Sequence, residues 1–419
     1  TLILPFLFTV IKLVIILCIV ATIHEFGHFL FAKIFKMGVN EFSIGFGPKI
    51  VQKKYKGTMY SLRWIPLGGY CAIEGEDGES QREDSFANKS PLKKIIVLIA
   101  GVLFNAILAA AIFIGVGFSN DVYNTKITTI EESSPLAKAG IQVGDEIYSI
   151  NGKKVHLYED LMAKRDENTE NVVIEYIRDG QKYTTTVENA ISDIGYIGVS
   201  FLINEEQSAV TNEVEMVASG SAANEMDIKA GDKIVSINGI ETPNSTAVVK
   251  IVRNNPLKQL EFVIERNGET ITKNITPKSQ RYFDLGNFMT EQVKPNLSTA
   301  FFSAKNNFSN IIGSYVELFK GNVSVNEMSG IVGIGEIVSK TNSLLSFFNL
   351  LGIISLAVGV ANIMPFPPLD GGKVVIVLVE TITRKKVPAN VEAIISYIGL
   401  GLLLLLTIFV TYNDIIRII

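Results

Sequence analysis

His24-Glu25-Phe26-Gly27-His28 places two imidazoles four residues apart with a carboxylate between them. On a helix that spacing puts both rings on one face and Glu25 beside them. The pattern supplies two zinc ligands and a general base for hydrolysis, because zinc lowers the pKa of its bound water to roughly 7. The motif closes an apolar run that begins at Leu2, and ionisable groups at membrane depth are costly and read as functional. The chain has 3 histidines and two fall here; the third, His156, follows an Asn-Gly turn in a polar segment and is expected at the surface. A purely structural role for His24 and His28 would need buried partners for both rings and for Glu25. A shared metal satisfies all three.

The elements that must position this motif are membrane spans. Four apolar segments, about 2–35, 95–118, 344–364 and 393–411, approach or exceed the ~20 residues needed to cross ~30 Å of hydrocarbon. A cleavable signal peptide is the rival for the first, but the stretch is long, lacks a basic start and runs into the histidines. Lysines and arginines crowd residues 33–94 and recur at Lys373, Arg384, Lys385 and Lys386, so both connections are expected on the cytoplasmic side. The termini and the long middle region then face outward. His24 lies some twenty residues down a helix rising ~1.5 Å per residue, which puts the centre toward the cytoplasm. Lys12 is expected to snorkel or to line a cavity. With 38 Lys+Arg against 42 Asp+Glu there is no nucleic-acid signal, and Cys18 and Cys71 form neither a disulfide framework nor a CxxC pair.

The middle region repeats itself. Ser134-Pro135 through Gly144-Asp145 to Asn151-Gly152 reappears as Ser221-Ala222 through Gly231-Asp232 to Asn238-Gly239, and Val173-Ile174-Glu175 matches Val263-Ile264-Glu265. Alternating strands closed by Asn-Gly and Asp-Gly turns indicate small β-rich modules. The pattern resembles PDZ domains, which bind carboxyl termini or extended peptides by strand addition. Gly195-Tyr196-Ile197-Gly198-Val199 is either a carboxylate-binding loop of the second module or a strand-edge turn. Peptide binding and steric filtering both remain open for the pair.

Two histidines need a third protein ligand and one open position. Asn362-Ile363-Met364-Pro365-Phe366-Pro367-Pro368-Leu369-Asp370-Gly371-Gly372 breaks the third apolar run, and broken helices at membrane depth line cavities or are buried in protein. Taken alone, Asp370 reads as a helix cap before Gly-Gly. With an incomplete two-histidine site in the same membrane, it reads as the ligand.

The whole set is similar to the site-2 protease family of intramembrane zinc metalloproteases, in particular bacterial members with outward-facing PDZ domains. The resemblance spans HEFGH, Phe42-Ser43-Ile44-Gly45-Phe46-Gly47-Pro48, Pro66-Leu67-Gly68-Gly69-Tyr70, Glu74-Gly75-Glu76-Asp77, the paired modules, Ser329-Gly330 and the NxxPxPPLDGG segment. It departs at Val102 and Ile331, where the family has prolines. It implies zinc on His24, His28 and Asp370, acid–base work by Glu25, and substrate or transition-state support from Asn362. It also implies that substrates are single-span membrane proteins, such as trimmed anti-sigma factors or remnant signal peptides.

The expected fold is a polytopic α-helical membrane protein with four transmembrane helices, two inserted β-rich PDZ-like domains and a small membrane-associated β-sheet. Residues 1–118 form the first part of the membrane core, including spans one and two and a cytoplasmic β region at 39–73 read as three short strands. PDZ-like domains follow at 119–192 and 193–280, then a linker with an amphipathic interfacial helix at 281–342. Residues 343–419 complete the core. The expected activity is zinc-dependent cleavage within transmembrane segments in the bacterial inner membrane, with the lipid bilayer as surroundings and no nucleic-acid partner. Two rivals are a non-catalytic PDZ adaptor with a structural metal and a zinc peptidase acting on soluble peptides.

Overall fold

The computed structural model describes residues 3–76, 80, 82–163, 170–188, 190–204, 209–218, 220–321 and 330–418. Asp77 and Ser329, quoted above, lie outside them. The chain divides into two compact units, Thr1–Val122 with Val293–Ile419, and Tyr123–Gln292.

The first unit opens with α1 (Ile3–Ile34), apolar all round rather than along one stripe, as a helix surrounded by lipid and protein must be. A hairpin of β1 (Val39–Tyr55) and β2 (Thr58–Ile73) follows, then α2 (Pro91–Gly117), which places Pro91 in its first turn where a missing N–H leaves no bond unmade. The three short strands expected at 39–73 are instead two long kinked ones. Glu41–Ile44 pairs with Gly69–Ala72 on one side and Met59–Leu62 on the other, while Lys49–Tyr55 pairs with Thr58–Arg63. Kinking lets two strands make four ribbons, so segments that read locally as separate are continuous. Among the described residues, Gly69–Ile73 and Lys49–Tyr55 are the outer ribbons.

The second unit contains the repeat. Its first copy runs through β3 (Val122–Ile130), α3 (Pro135–Lys138), β4 (Glu146–Ile150), β5 (Lys153–Lys154), α4 (Tyr158–Ala163), β6 (Val172–Arg178) and β7 (Gln181–Val187). After β8 (Ile191–Tyr196) the second copy runs through β9 (Val199–Asn204), β10 (Ala209–Val217), α5 (Ala222–Glu225), β11 (Lys233–Ile237), β12 (Ile240–Glu241), α6 (Ser245–Arg253), β13 (Leu260–Arg266) and β14 (Glu269–Ile275). β15 (Lys278–Phe283) pairs with β8, and β16 (Phe288–Val293) ends the unit. Asn151-Gly152, Asp179-Gly180, Asn238-Gly239 and Asn267-Gly268 all have positive φ at both residues, the conformation that tight hairpins require.

Stretch 281–293, expected as the start of a linker, belongs to the β unit. The strand orders are β16-β3-β4-β6-β7 and β14-β13-β11-β10-β9, so β16 completes the sheet of the first copy from beyond the second. The reason is apolar: Leu285 joins the core of Ile127, Ile147, Ile150 and Ile174, and Phe288 packs on it. Each copy also buries one acid under an arginine fork. Arg178 Nε and Nη2 donate to the two oxygens of Asp145 at 2.7 Å each. Arg266 does the same to Asp232 at 2.6 and 2.8 Å. Gly195–Val199, one reading of which was a carboxylate loop, spans the end of β8 and the start of β9 and lines a cavity of about 460 Å3 beside Val248 and Val252 of α6.

The chain returns to the first unit through α7 (Leu297–Phe319), α8 (Ile331–Ser339), α9 (Leu344–Asn362), α10 (Asp370–Thr383) and α11 (Ala389–Ile418). Among the described residues, four helices are long and apolar enough to cross a membrane: Leu4–Ile34, Pro91–Gly117, Leu344–Asn362 and Ala389–Ile416. The expected amphipathic helix is α7, which packs Ala304 and Phe308 against Ala109 and Phe113 of α2. The Lys12 Nζ donates to the Thr341 carbonyl at 2.7 Å, just past the C-terminus of α8. At the other end of α8, the buried carboxylate of Asp414 accepts from Gly330 N and Gly333 N, each at 2.8 Å. A cation at the C-terminus and an anion at the N-terminus both oppose the helix dipole.

Candidate metal centre

α1 carries His24, Glu25 and His28, and both imidazoles are 7% exposed. The face of α2 opposite them holds Val97, Gly101 and Asn105, spaced by four so that all three point one way. His28 Nδ1 lies 2.8 Å from the Val97 carbonyl. A carbonyl only accepts, so Nδ1 carries the proton and Nε2 of a neutral ring presents a lone pair. Gly101 makes room for both rings: a Cβ there would stand 2.6 Å from His24 Cε1 and from His28 Nε2.

Asp370 comes from far downstream. It is the first residue of α10, after the turn containing Pro365, Pro367 and Pro368, and Leu369 is the cap without a side-chain capping bond. The turn folds back so tightly that a Cβ on Gly371 would meet the carbonyl oxygens of Ile363 and Met364 at 2.2 and 2.3 Å, which accounts for the glycines after Asp370. The Asp370 side chain, instead of capping its helix, reaches the histidines. Its Oδ2 lies 2.8 Å from His24 Nε2 and 3.4 Å from His28 Nε2, and the two Nε2 atoms are 3.1 Å apart.

Two imidazole nitrogens and a carboxylate oxygen, all three metal-ligand atom types, form a triangle with sides of 2.8–3.4 Å and no lysine or arginine between them. A tetrahedral site with bonds of about 2.0–2.2 Å has ligand–ligand edges of about 3.3–3.6 Å. The 3.4 Å edge falls in that range and the 2.8 and 3.1 Å edges are shorter, so it is the two-nitrogen, one-oxygen chemistry of the set that suits a zinc ion. Glu25 also lies close, its carboxylate and the imidazole nitrogens falling within 4.8 Å of one another. Asp370 is the better third donor because Glu25 Oε2 is engaged, accepting from the Cys71 N–H of the outer β2 ribbon at 2.9 Å. Oε1 of Glu25 makes no hydrogen bond among the described residues. Burial, then the neighbouring Glu25 and Glu76 carboxylates, push the pKa of the Cys71 thiol up.

Asn362 ends α9, half-buried, and its side chain makes no hydrogen bond among the described residues. Two further polar residues make contacts around the centre. Asn105 is fully buried, with Nδ2 3.4 Å from His24 Nδ1 and Oδ1 without a partner. Lys373, one turn past Asp370, forms a 2.8 Å ion pair with Glu76. A lone Asn in an apolar span four residues after a glycine is the signal that points to Asn105.

Two imidazoles and a glutamate on a membrane-length helix, met by a remote carboxylate, are the side chains of a metallopeptidase. The model of peptidase family M50 matches residues 12–406, and the chain belongs to that family. It is 30% identical over 420 residues to a Campylobacter jejuni protein named "Putative zinc metalloprotease", covering 94% of this chain and 90% of that one. It is 28% identical over 438 residues to "Probable protease eep" of Enterococcus faecalis, covering 98% and 99%. A solved PDZ domain of HtrA3 bound to a phage-derived ligand is 19% identical, covers 22% of this chain and 92% of that domain, and has a TM-score of 0.19. The activity is that of a metalloendopeptidase of the intramembrane site-2 protease type.

Proposed function

We propose that this chain holds zinc on His24, His28 and Asp370 and uses Glu25 to cleave peptide bonds inside the transmembrane segments of single-span proteins. The observation that carries the reading is the convergence of Asp370 Oδ2 on both Nε2 atoms from a helix remote in sequence. Zinc bound there supplies Lewis acidity toward a carbonyl and a water made acidic near neutral pH. Glu25, steadied through Oε2 by Cys71, offers Oε1 to take the proton from the attacking water and return it to the leaving nitrogen. With its amide turned so that Oδ1 faces His24 Nδ1–H, Asn105 satisfies its own orphan oxygen and keeps Nε2 aimed at the centre. Asn362, at the end of the helix that precedes the Asp370 turn, supports the substrate carbonyl.

A substrate helix in lipid cannot leave its backbone groups unpaired, so it must unwind onto new partners. The outer ribbon Gly69–Ile73, whose Cys71 N–H touches Glu25, offers them by strand addition. The positive residues favour an inner-membrane orientation with the centre toward the cytoplasm and the PDZ-like β unit outside, where it excludes bulky precursors. Substrates of this reading are trimmed anti-sigma factors or remnant signal peptides.

The test is reconstitution in lipid with a panel of single-span segments, comparing the native chain with Glu25→Gln. The native chain cuts, and the variant, with zinc content unchanged, is slower by about 10²–10⁴-fold. Equal cutting by both would remove Glu25 from the chemistry, and zinc binding without any cutting would favour the membrane adaptor.

A further inference from the structure

Between Glu41 and Glu74 the chain has no acidic residue, yet this stretch holds Lys49, Lys53, Lys54, Lys56 and Arg63. Arg63 is spoken for, donating to Glu41 Oε1 at 2.8 Å and to the Tyr70 hydroxyl at 2.8 Å. The lysines lie on the outer ribbon and turn of the β1–β2 hairpin. Lys49 reaches only Gln52, Lys56 lies over the Tyr55 ring, and Lys53 and Lys54 make no hydrogen bond or ion pair among the described residues. The same arm exposes apolar side chains that a water-facing hairpin would cover: Trp64 is 67%, Val51 60% and Tyr55 57% exposed. Val51 stands opposite Leu62, itself 44% exposed, so the apolar surface crosses both strands.

The structure assigns this arm a partner: the anionic headgroup surface of the bilayer, with the four lysines reading its charge and the rings of Trp64 and Tyr55 seated at headgroup depth. Aromatic rings flanked by cations are the composition of the membrane interface, and anionic lipid attracts each nearby lysine by about fivefold in partition. A substrate flank is the poorer occupant. On the sidedness proposed above, the cytoplasmic flanks of single-span proteins are themselves rich in lysine and arginine and would be repelled.

Trp64 is the single tryptophan, so its fluorescence reports the arm alone. The full chain would be reconstituted in vesicles of phosphatidylcholine, with or without phosphatidylglycerol, and Trp64 emission and its quenching by brominated acyl chains recorded. The expected result is a blue-shifted, quenchable Trp64 in the anionic vesicles, reversed by high salt and weak in phosphatidylcholine. Lys53→Gln with Lys54→Gln should lower the arm's partition about 25-fold. The salt titration reads the same charge dependence on the native chain, should the double variant not fold. Equal quenching in both lipids would mean apolar insertion without charge recognition and overturn the assignment. So would a Trp64 exposed in both lipids, or one that changes only when a single-span segment is added. None of these readouts requires cleavage, so a failed protease reading leaves the test intact.

Discussion

Asp145 and Asp232 are buried in the β unit, and Asp370 is largely buried in the membrane unit, yet their surroundings differ in kind. The first two are 1% and 0% exposed and each is met by a bidentate arginine from its own sheet, with a backbone N–H completing the shell. Charge and hydrogen-bonding capacity are both answered there, and nothing is left to bind. Asp370 faces two imidazole nitrogens, 2.8 and 3.4 Å from its Oδ2, and no arginine or lysine reaches it among the described residues. A completed ion pair is architecture; two imidazoles and a carboxylate converging from separate helices are a ligand set. The contrast separates a conserving role from a functional one without reference to sequence position.

Removing each acid in turn would test the contrast. Asp370→Ala should abolish turnover and metal retention together while leaving helix content unchanged, as read by zinc analysis and circular dichroism; full zinc occupancy in this variant would remove Asp370 from the ligand set. Asp232→Ala should do the reverse, leaving zinc content untouched and destabilising the second copy of the repeat by about 2–4 kcal/mol in thermal unfolding, somewhat less than for a fully buried pair because Arg266 is partly exposed and can rehydrate. A loss of zinc on Asp232→Ala would break the comparison. Asn105→Leu sharpens it at the smallest scale: a neighbour that only orients His24 should weaken zinc binding by about 10–100-fold without abolishing it, measured by competition with a chelator. Unchanged affinity would leave Asn105 as packing alone.

Much of this was legible in the chain itself, and the reason is range. HExxH works through a spacing of four within one helix, the apolar spans announce themselves by length, and the Asn-Gly and Asp-Gly turns fix hairpins over two residues. Asp370 became legible only because the two histidines were incomplete, since its own surroundings suggest a cap. Gly101 and the Val97 carbonyl were not legible, and Asn105 showed only as a lone polar residue in an apolar span: their effect depends on which face of α2 meets α1, and an apolar span carries no stripe to say so. The kinked hairpin was misread as three strands because local alternation cannot reveal a continuous strand that bends. β16 was assigned to a linker for the same kind of reason, since its pairing partner β3 lies a whole repeat earlier.

That pairing sets an order of events during synthesis. The sheet of the first copy is complete only when Phe288–Val293 has left the ribosome, by which time every residue of the second copy has been made. Chains fold from the amino end as they emerge, so the later module is free to form while the earlier one still waits with the edge of β3 uncovered. The nascent protein thus finishes its first β module last, and anything that delays the second prolongs the time that edge is open to a wrong partner.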